Sequence, residues 1–119
     1  GIDVTQNKVF FVDDLTGWIV GNHGGVYKTL DGGYHWDNYI TFTLFDLYDI
    51  CFADQENVWV SGRSGKIFHS ENEGIDWMAQ NSGTDAYLKD IAFTSDENGW
   101  AVGETTDGEA IVLHYHIIN

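Results

Sequence analysis

The sequence predicts an all-β fold built from antiparallel, four-stranded blades of the propeller type, and three observations lead to this prediction. Segments rich in Val, Ile, Phe, Tyr and Trp alternate with clusters of Gly, Asp and Asn, and proline is absent. No segment shows the apolar periodicity of a helix. One pattern recurs three times at a spacing of 41 residues, and four short strands in ~40–45 residues is the size of a propeller blade.

The repeat is visible in several columns of equivalent residues. Its three copies read VFFVDDLTGWIVG, ICFADQENVWVSG and IAFTSDENGWAVG. Three of the columns are Phe11, Phe52 and Phe93; Trp18, Trp59 and Trp100; and Gly21, Gly62 and Gly103. Because so many columns agree without a gap, we treat residues 1–119 as one domain with repeats of about 8–46, 47–87 and 88–119.

Each repeat is predicted to hold up to four short strands. The first strands are residues 9–12, 50–53 and 91–94, and the second strands are 18–21, 58–62 and 100–103. The third strands are 26–29, 67–70 and 110–116, and the fourth open with Trp36 and Trp77. After Gly103 the third repeat carries an insertion of about three residues and lacks the motif that opens a fourth strand. The sequence therefore encodes roughly two and three-quarter blades.

The number of blades bears on assembly. Propellers typically need about 4–8 blades to close, so we predict that this chain closes only as an oligomer or is a fragment. A homodimer that forms a six-bladed propeller is favoured, and completion by another propeller fragment is the alternative. In the dimer, residues 2–5 could supply the missing outer strand of the partner's last blade.

Composition and charge limit the classes of partner that the chain is predicted to bind. The net charge is −14, and the basic residues are Lys8, Lys28, Arg63, Lys66 and Lys89. Five cations do not make the basic patch that a phosphate backbone or an anionic membrane requires, so neither a nucleic-acid partner nor membrane insertion is predicted. A single cysteine, Cys51, excludes an internal disulfide but leaves the compartment open.

Two predicted turns share one motif. Its residues are Thr29, Asp31, Gly33 and Trp36 in the first repeat, and Ser70, Asn72, Gly74 and Trp77 in the second. A short polar side chain can accept hydrogen bonds from backbone N–H groups in such a turn, and glycine tolerates a positive φ. The motif resembles the Asp-box, S/T-x-D-x-G-x-x-W, which implies a structural role. The change from Asp31 to Asn72 agrees, since a general acid or base would not survive it.

The longer stretch FVDDLTGWIVGNHGGVYKTLDGGYHW is similar to the repeat of the photosystem II stability and assembly factor family. That resemblance implies propeller blades and a non-catalytic scaffold that binds other proteins. No cofactor is predicted.

Catalysis is not predicted. Asp-box propellers include sialidases, which hold the substrate carboxylate with three arginines, whereas this chain has Arg63 alone. Acidic pairs fall in predicted turns, where solvated turn residues are expected and a calcium site is the alternative. His114 and His116 could chelate a metal on one strand face, but no third ligand is near in sequence, so no metal site is predicted. Cys51 lies inside a strand, where an inert core thiol is expected.

A binding face is predicted where the turns between second and third strands meet the inter-blade connections, around residues 41–47 and 82–87. The Asp-box turns are expected on the opposite face. The repeats differ most on the predicted face, and the candidate residues are His23, Arg63, Glu104 and Asp107. A protein or glycan ligand is predicted there. A carbohydrate-binding or glycoside-hydrolase-related module is the alternative, which exposed aromatics such as Tyr34, Phe45 or Tyr87 on this face would support.

Overall fold

The computed structural model describes residues 5–38, 43–95 and 97–116, and within them the strands form three antiparallel sheets. Blade 1 consists of β1 (Gln6–Phe11), β2 (Gly17–Gly21), β3 (Val26–Thr29) and β4 (Asp37–Asn38). Blade 2 consists of β5 (Leu47–Phe52), β6 (Val58–Gly62), β7 (Ile67–Ser70) and β8 (Met78–Gln80). Blade 3 consists of β9 (Tyr87–Ser95), β10 (Asn98–Glu104) and β11 (Ala110–His116).

In each blade, consecutive strands are neighbours, so every sheet is a simple meander. The predicted strands all occur, with shifts at their ends. The first strand of each blade begins earlier than predicted, because a bulge lets the pairing continue past the apolar segment. Strands β4 and β8 begin one residue after Trp36 and Trp77, since both tryptophans still belong to the preceding turn.

The blades pack face to face, and the core lies in the two junctions between them. Side chains of blades 1 and 2 form one buried cluster: Trp18, Val20, Val26, Leu47, Ile50, Val58, Val60 and Phe68. Blades 2 and 3 form the other: Trp59, Ala86, Leu88, Ile91 and Ala101. Successive residues along the strands of blade 2 therefore pack against blade 1 on one face of the sheet and against blade 3 on the other.

Each blade has two unlike faces. We call the face that carries Val9, Ile50 or Ile91 the leading face, and the face that carries Trp18, Trp59 or Trp100 the trailing face. Within the chain, the trailing face of one blade packs on the leading face of the next. Trp18 lies 6.4 Å from Phe52 between ring centroids, and Trp59 lies 3.9 Å from Phe93.

The first strands of the three blades lie side by side, and Asp49 on β5 connects them. Its carboxylate is buried and accepts hydrogen bonds from the backbone N–H groups of Ile50 and Ile91. The ammonium of Lys8 on β1 lies 3.4 Å from the same carboxylate. One side chain of blade 2 is thus tied to blade 1 and to blade 3.

The predicted outer strand at residues 2–5 lies outside the described residues except for Thr5, as does part of the connection at residues 41–47. No helix in the described part of the chain has the length and apolarity that a membrane crossing needs.

Candidate functional site

The first Asp-box turn is a closed network of hydrogen bonds. The hydroxyl of Thr29 donates to Asp31 Oδ1 at 2.8 Å and accepts from the backbone N–H of Gly33 at 3.0 Å. Asp31 in turn accepts from the backbone N–H of His35, and its Oδ2 lies 2.6 Å from Nδ1 of the same residue. These bonds, those from His35 first, lower the pKa of Asp31 to about 2, although the carboxylate is exposed.

The second turn has the same geometry with the polar partners exchanged. Ser70 donates to Asn72 Oδ1 and accepts from the N–H of Gly74, just as Thr29 does in the first turn. Asn72 also accepts from the backbone N–H of Asp76 and donates its own amide to the Asp76 carboxylate at 2.9 Å. The acid is the first member of the pair Asp31–His35 but the second member of the pair Asn72–Asp76. The turn therefore needs two hydrogen-bonded polar side chains at these positions rather than an acid at one of them.

Both turns also make contacts that hold the fold. The N–H of Gly32 donates to Leu15 O, and that of Glu73 donates to Glu56 O, which ties each turn to the loop after the first strand of its own blade. Gly74 has φ +88°, and a Cβ there would lie 2.5 Å from the ring of Trp18 in blade 1. Trp77 donates its indole N–H to Gly74 O. This geometry agrees with a structural role for the motif.

The turns between second and third strands form the predicted binding face together with the connections between blades. His23 and Arg63 meet through one residue, because the backbone N–H of His23 donates to Asp46 Oδ1 and that of Arg63 donates to Asp46 O. His23 and Ser64 share the positive φ of the turn, at 60° and 59°. Ser64 is therefore the equivalent of His23, and Arg63 is the equivalent of Asn22 one repeat later.

Arg63 and Glu104 meet at a second residue, Tyr87. The guanidinium of Arg63 lies 5.7 Å from the ring centroid of Tyr87, and Glu104 pairs with Tyr87 across β9 and β10. The ammonium of Lys89 lies 4.0 Å from the ring of Tyr48 and 5.6 Å from that of Tyr87. Burial and the Asp46 carboxylate raise the pKa of Tyr48, while Arg63 opposes them. We call Arg63, Tyr87, Lys89 and Tyr48 the cation–aromatic cluster.

This cluster bears on the prediction, made from composition, that the five basic residues do not form a basic patch. Two of the five basic residues gather in it, and Lys66 lies over the ring of Phe45 at 4.7 Å from its centroid on the same face. Tyr87 was named only as an aromatic that would support a sugar ligand, and Asp46, Tyr48 and Lys89 were missed as site residues. Their signal was the column comparison, because Asp46 becomes Tyr87 and Tyr48 becomes Lys89 one repeat later.

The remaining candidates are not joined to this cluster. Asp107 lies in the turn after β10, which is closed by hydrogen bonds between Thr105 and Glu109. Tyr34 lies in an Asp-box turn, so its proposed place on the binding face was wrong. Phe45 and Tyr87 do lie on that face, but cations already cover their rings, which leaves less ring surface for a sugar.

Metal and thiol chemistry find little support in the described residues. They contain no group of three or more His, Cys, Asp and Glu side chains that could hold a metal ion. His114 stacks on Trp100 and lies 2.6 Å from Asn98 Oδ1, so its ring is engaged, and the side chain of His116 lies outside the description. Burial, reinforced by Asp49, raises the pKa of Cys51 to about 12, which keeps the thiol protonated and unreactive.

Three meander sheets that pack face to face, with Asp-box turns at one end, define the chain as part of a β-propeller. The model of the family described as "Photosynthesis system II assembly factor YCF48" matches residues 38–116, and the chain belongs to this family. The prediction of Asp-box blades similar to the photosystem II assembly factor repeat is confirmed.

Two solved structures show the same fold. One is "YCF48 bound to D1 peptide", with a TM-score of 0.80, and the other is "YCF48 from Cyanidioschyzon merolae", with a TM-score of 0.77. Each is 19% identical and matches 98% of this chain but only 39% of its own length. A comparison with curated proteins gave no match.

Proposed function

We propose that the chain is a non-catalytic, protein-binding scaffold module whose blades are completed in a propeller by a second copy of the same chain. The observation that carries the proposal is the exposure of the two end faces. On the trailing face of blade 3, Trp100 and Val102 are 38% and 36% exposed, whereas the equivalent Trp18 and Val20 are 1% and 0% exposed. The trailing face of blade 3 thus carries the same kind of apolar side chains that are buried at the junction of blades 1 and 2.

The leading face of blade 1 has the complementary character. Val9 is 53% exposed, whereas the equivalent Ile50 and Ile91 are 2% and 4% exposed. Since trailing faces pack on leading faces inside the chain, the two end faces are partners for each other in a head-to-tail contact. Two chains would supply six blades, within the closure range of about 4–8. Another propeller fragment with the same repeat could use the same faces.

Point variants and solution mass test this arrangement. Val102→Asp and Val9→Asp should each give a monomer by light scattering after size exclusion, because each places a charge in both contacts of a two-chain ring. Ile75→Asp is the matched control, since Ile75 is 61% exposed in a turn of blade 2 and belongs to neither end face. Mixing the two variants should restore a dimer, because one unmodified trailing face then meets one unmodified leading face.

Charge gives a second measurement. Two copies with a net charge of −14 repel each other, so association should strengthen as salt rises. A wild-type chain that stays monomeric at all salt and protein concentrations would refute self-assembly. A dimer that survives Val9→Asp but not Val102→Asp would show contact between like faces, and it would refute the head-to-tail arrangement.

For the protein ligand, we propose the cation–aromatic cluster as the contact. Its position on the first strands β5 and β9, at the end where the blade connections lie, supports this proposal, as does the solved structure of YCF48 bound to a D1 peptide. Lys89→Ala and Arg63→Ala should each abolish most binding of interaction partners recovered with the wild-type chain. Lys28→Ala is the control, because Lys28 lies over Trp18 in blade 1. Unchanged binding in both cluster variants would remove this site from the proposal.

A further inference from the structure

A cavity of about 110 Å³ lies between blades 2 and 3, next to the outer strand β11. Its apolar walls include Trp59, Ile67, Ile91, Phe93, Ala101 and Leu113. The indole Nε1 of Trp59 is buried and has no hydrogen-bond partner among the described residues. Buried polar groups are nearly always satisfied in native proteins, so this indole N–H requires an explanation.

The repeat shows what fills the equivalent position one junction earlier. The residues equivalent to the first five wall residues, one repeat earlier, are Trp18, Val26, Ile50, Phe52 and Val60. Phe68 stands in place of Leu113, because these two pair with Val60 and Ala101 across their sheets. All six belong to or pack on the cluster of blades 1 and 2, and Trp77 packs against that cluster. At that junction, therefore, the aromatic side chain that precedes the fourth strand completes the core.

The edge beside the cavity is also suited to an added strand. In the described part of the chain, β11 pairs only with β10 and spans seven residues, Ala110–His116, without Asp, Glu, Lys or Arg. Within the described residues, the outer edge strands of the other blades, β4 and β8, have two and three residues. A long uncharged edge presents backbone N–H and C=O groups that can bind an extended polypeptide.

We propose that β11 and this cavity form a binding site for an extended polypeptide, which adds as a fourth strand and inserts one aromatic side chain beside Trp59. The cavity is somewhat smaller than the ~150 Å³ apolar cavity that takes up benzene, and it is open on one side, so a ring can enter partly. The net charge of −14 favours a neutral or basic segment. The site goes beyond the proposed head-to-tail contact because it uses the leading face and edge of blade 3.

The ligand is a strand rather than a whole Asp-box hairpin. Tyr115 takes the place of Ser70, since the two pair with Gly99 and Val58 at equivalent positions. The Ser70 hydroxyl holds the Asp-box turn of blade 2 through Asn72 and Gly74. In blade 3 the Tyr115 ring instead tilts onto Trp59, with centroids 5.1 Å apart. Strand pairing and the aromatic anchor then carry recognition.

The chain itself supplies a probe of this site. Residues 74–80, GIDWMAQ, contain Trp77 and strand β8, and a blocked synthetic peptide with Asp76→Asn is neutral. This peptide would be titrated into isotope-labelled full-length protein and followed by NMR. Saturable shifts are expected at the Trp59 indole N–H and at the amides of β11. The same peptide with Trp77→Ala should bind at least about ten-fold more weakly, a loss of about 1.4 kcal/mol.

Protein variants locate the site. Ala101→Leu fills the cavity and should weaken binding about ten-fold, whereas Val112→Thr, on the opposite face of β11 and 68% exposed, should leave binding unchanged. If Ala101→Leu fails to fold, peptides N-methylated at Met78 or at Ala79 replace it, since one of the two must block strand pairing.

Three results would overturn the proposal: no saturable shift, shifts confined to another surface, or equal binding of the Trp77→Ala peptide. Val102→Asp should abolish the head-to-tail contact without changing peptide binding, so failure of one proposal is distinguishable from failure of the other.

Discussion

The contact between Gly74 and Trp18 makes a quantitative prediction about how blades 1 and 2 are joined. Gly74 has φ +88°, and an added Cβ would lie 2.5 Å from the buried Trp18 ring. Gly74→Ala thus carries two costs: about 1–2 kcal/mol for an L-residue in the left-handed region, and about 1–3 kcal/mol for forcing extra volume into a packed junction. We expect the free energy of unfolding to fall by about 2–5 kcal/mol.

Gly83→Ala is the matched control. Gly83 has a similar φ of +78°, but nothing lies within 4 Å of its added Cβ, so only the backbone cost applies. Urea unfolding of both variants should show a loss of about 1–2 kcal/mol for Gly83→Ala, with similar slopes against urea concentration. The difference between the variants measures the junction contact.

A second background checks the cause. Trp18→Phe removes the part of the ring that the added methyl group would strike, so Gly74→Ala should cost less there, with a coupling energy of about 1 kcal/mol or more. Equal losses for Gly74→Ala and Gly83→Ala would refute the reasoning. The Asp-box turn would then be free to move away from Trp18, and it would not fix the spacing of the blades.

Four further outcomes are expected. Asp49→Ala should lower the free energy of unfolding by about 1–3 kcal/mol by leaving the Ile91 N–H unsatisfied, while Asp90→Ala, at the exposed equivalent position, should change urea unfolding little. The lowered pKa of Asp31 contributes stability that is fully present above pH 3.8 and is lost as pH falls through about 2, so acid titrations of wild type and Asp31→Asn should converge in that window. His35→Asp should destabilise the first turn by placing two carboxylates together. Adding Asp31→Asn should restore thermal stability, because the double variant reproduces the Asn72–Asp76 pair of the second turn. If stability is not restored, the two pairs are not interchangeable. Cys51 should resist a thiol reagent in the native protein and react in urea, because burial raises the pKa of its thiol to about 12.

Much of the fold could be predicted because the 41-residue repeat places the same residue types at the same points of each blade. The Trp18, Trp59 and Trp100 column marked the second strands, and the two Asp-box motifs marked the turns before β4 and β8. Strand starts were less predictable, since the bulges near Gln6 and Leu47 depend on backbone pairing rather than on side-chain pattern.

The candidate site was predicted only in part. His23, Arg63 and Glu104 reach one end of the blades. The residues that link them are Asp46 in a connection and Tyr87 at the start of β9, and their role depends on tertiary contact. The partner exchange between Asp31–His35 and Asn72–Asp76 likewise became visible only with the hydrogen bonds. The dimer, the ligand and the absence of catalysis stay predictions.

The position of Asp49 has a consequence for how the protein unfolds. In a chain of repeats that contact only their neighbours, terminal units can fray one at a time. Here one buried carboxylate binds the β9 backbone and attracts Lys8 of β1, so release of either outer blade disturbs the hold on the other. Amide hydrogen exchange at Val9, Ile50 and Ile91 should therefore report a single cooperative opening, even though the described residues of blade 3 form fewer strands than those of its neighbours.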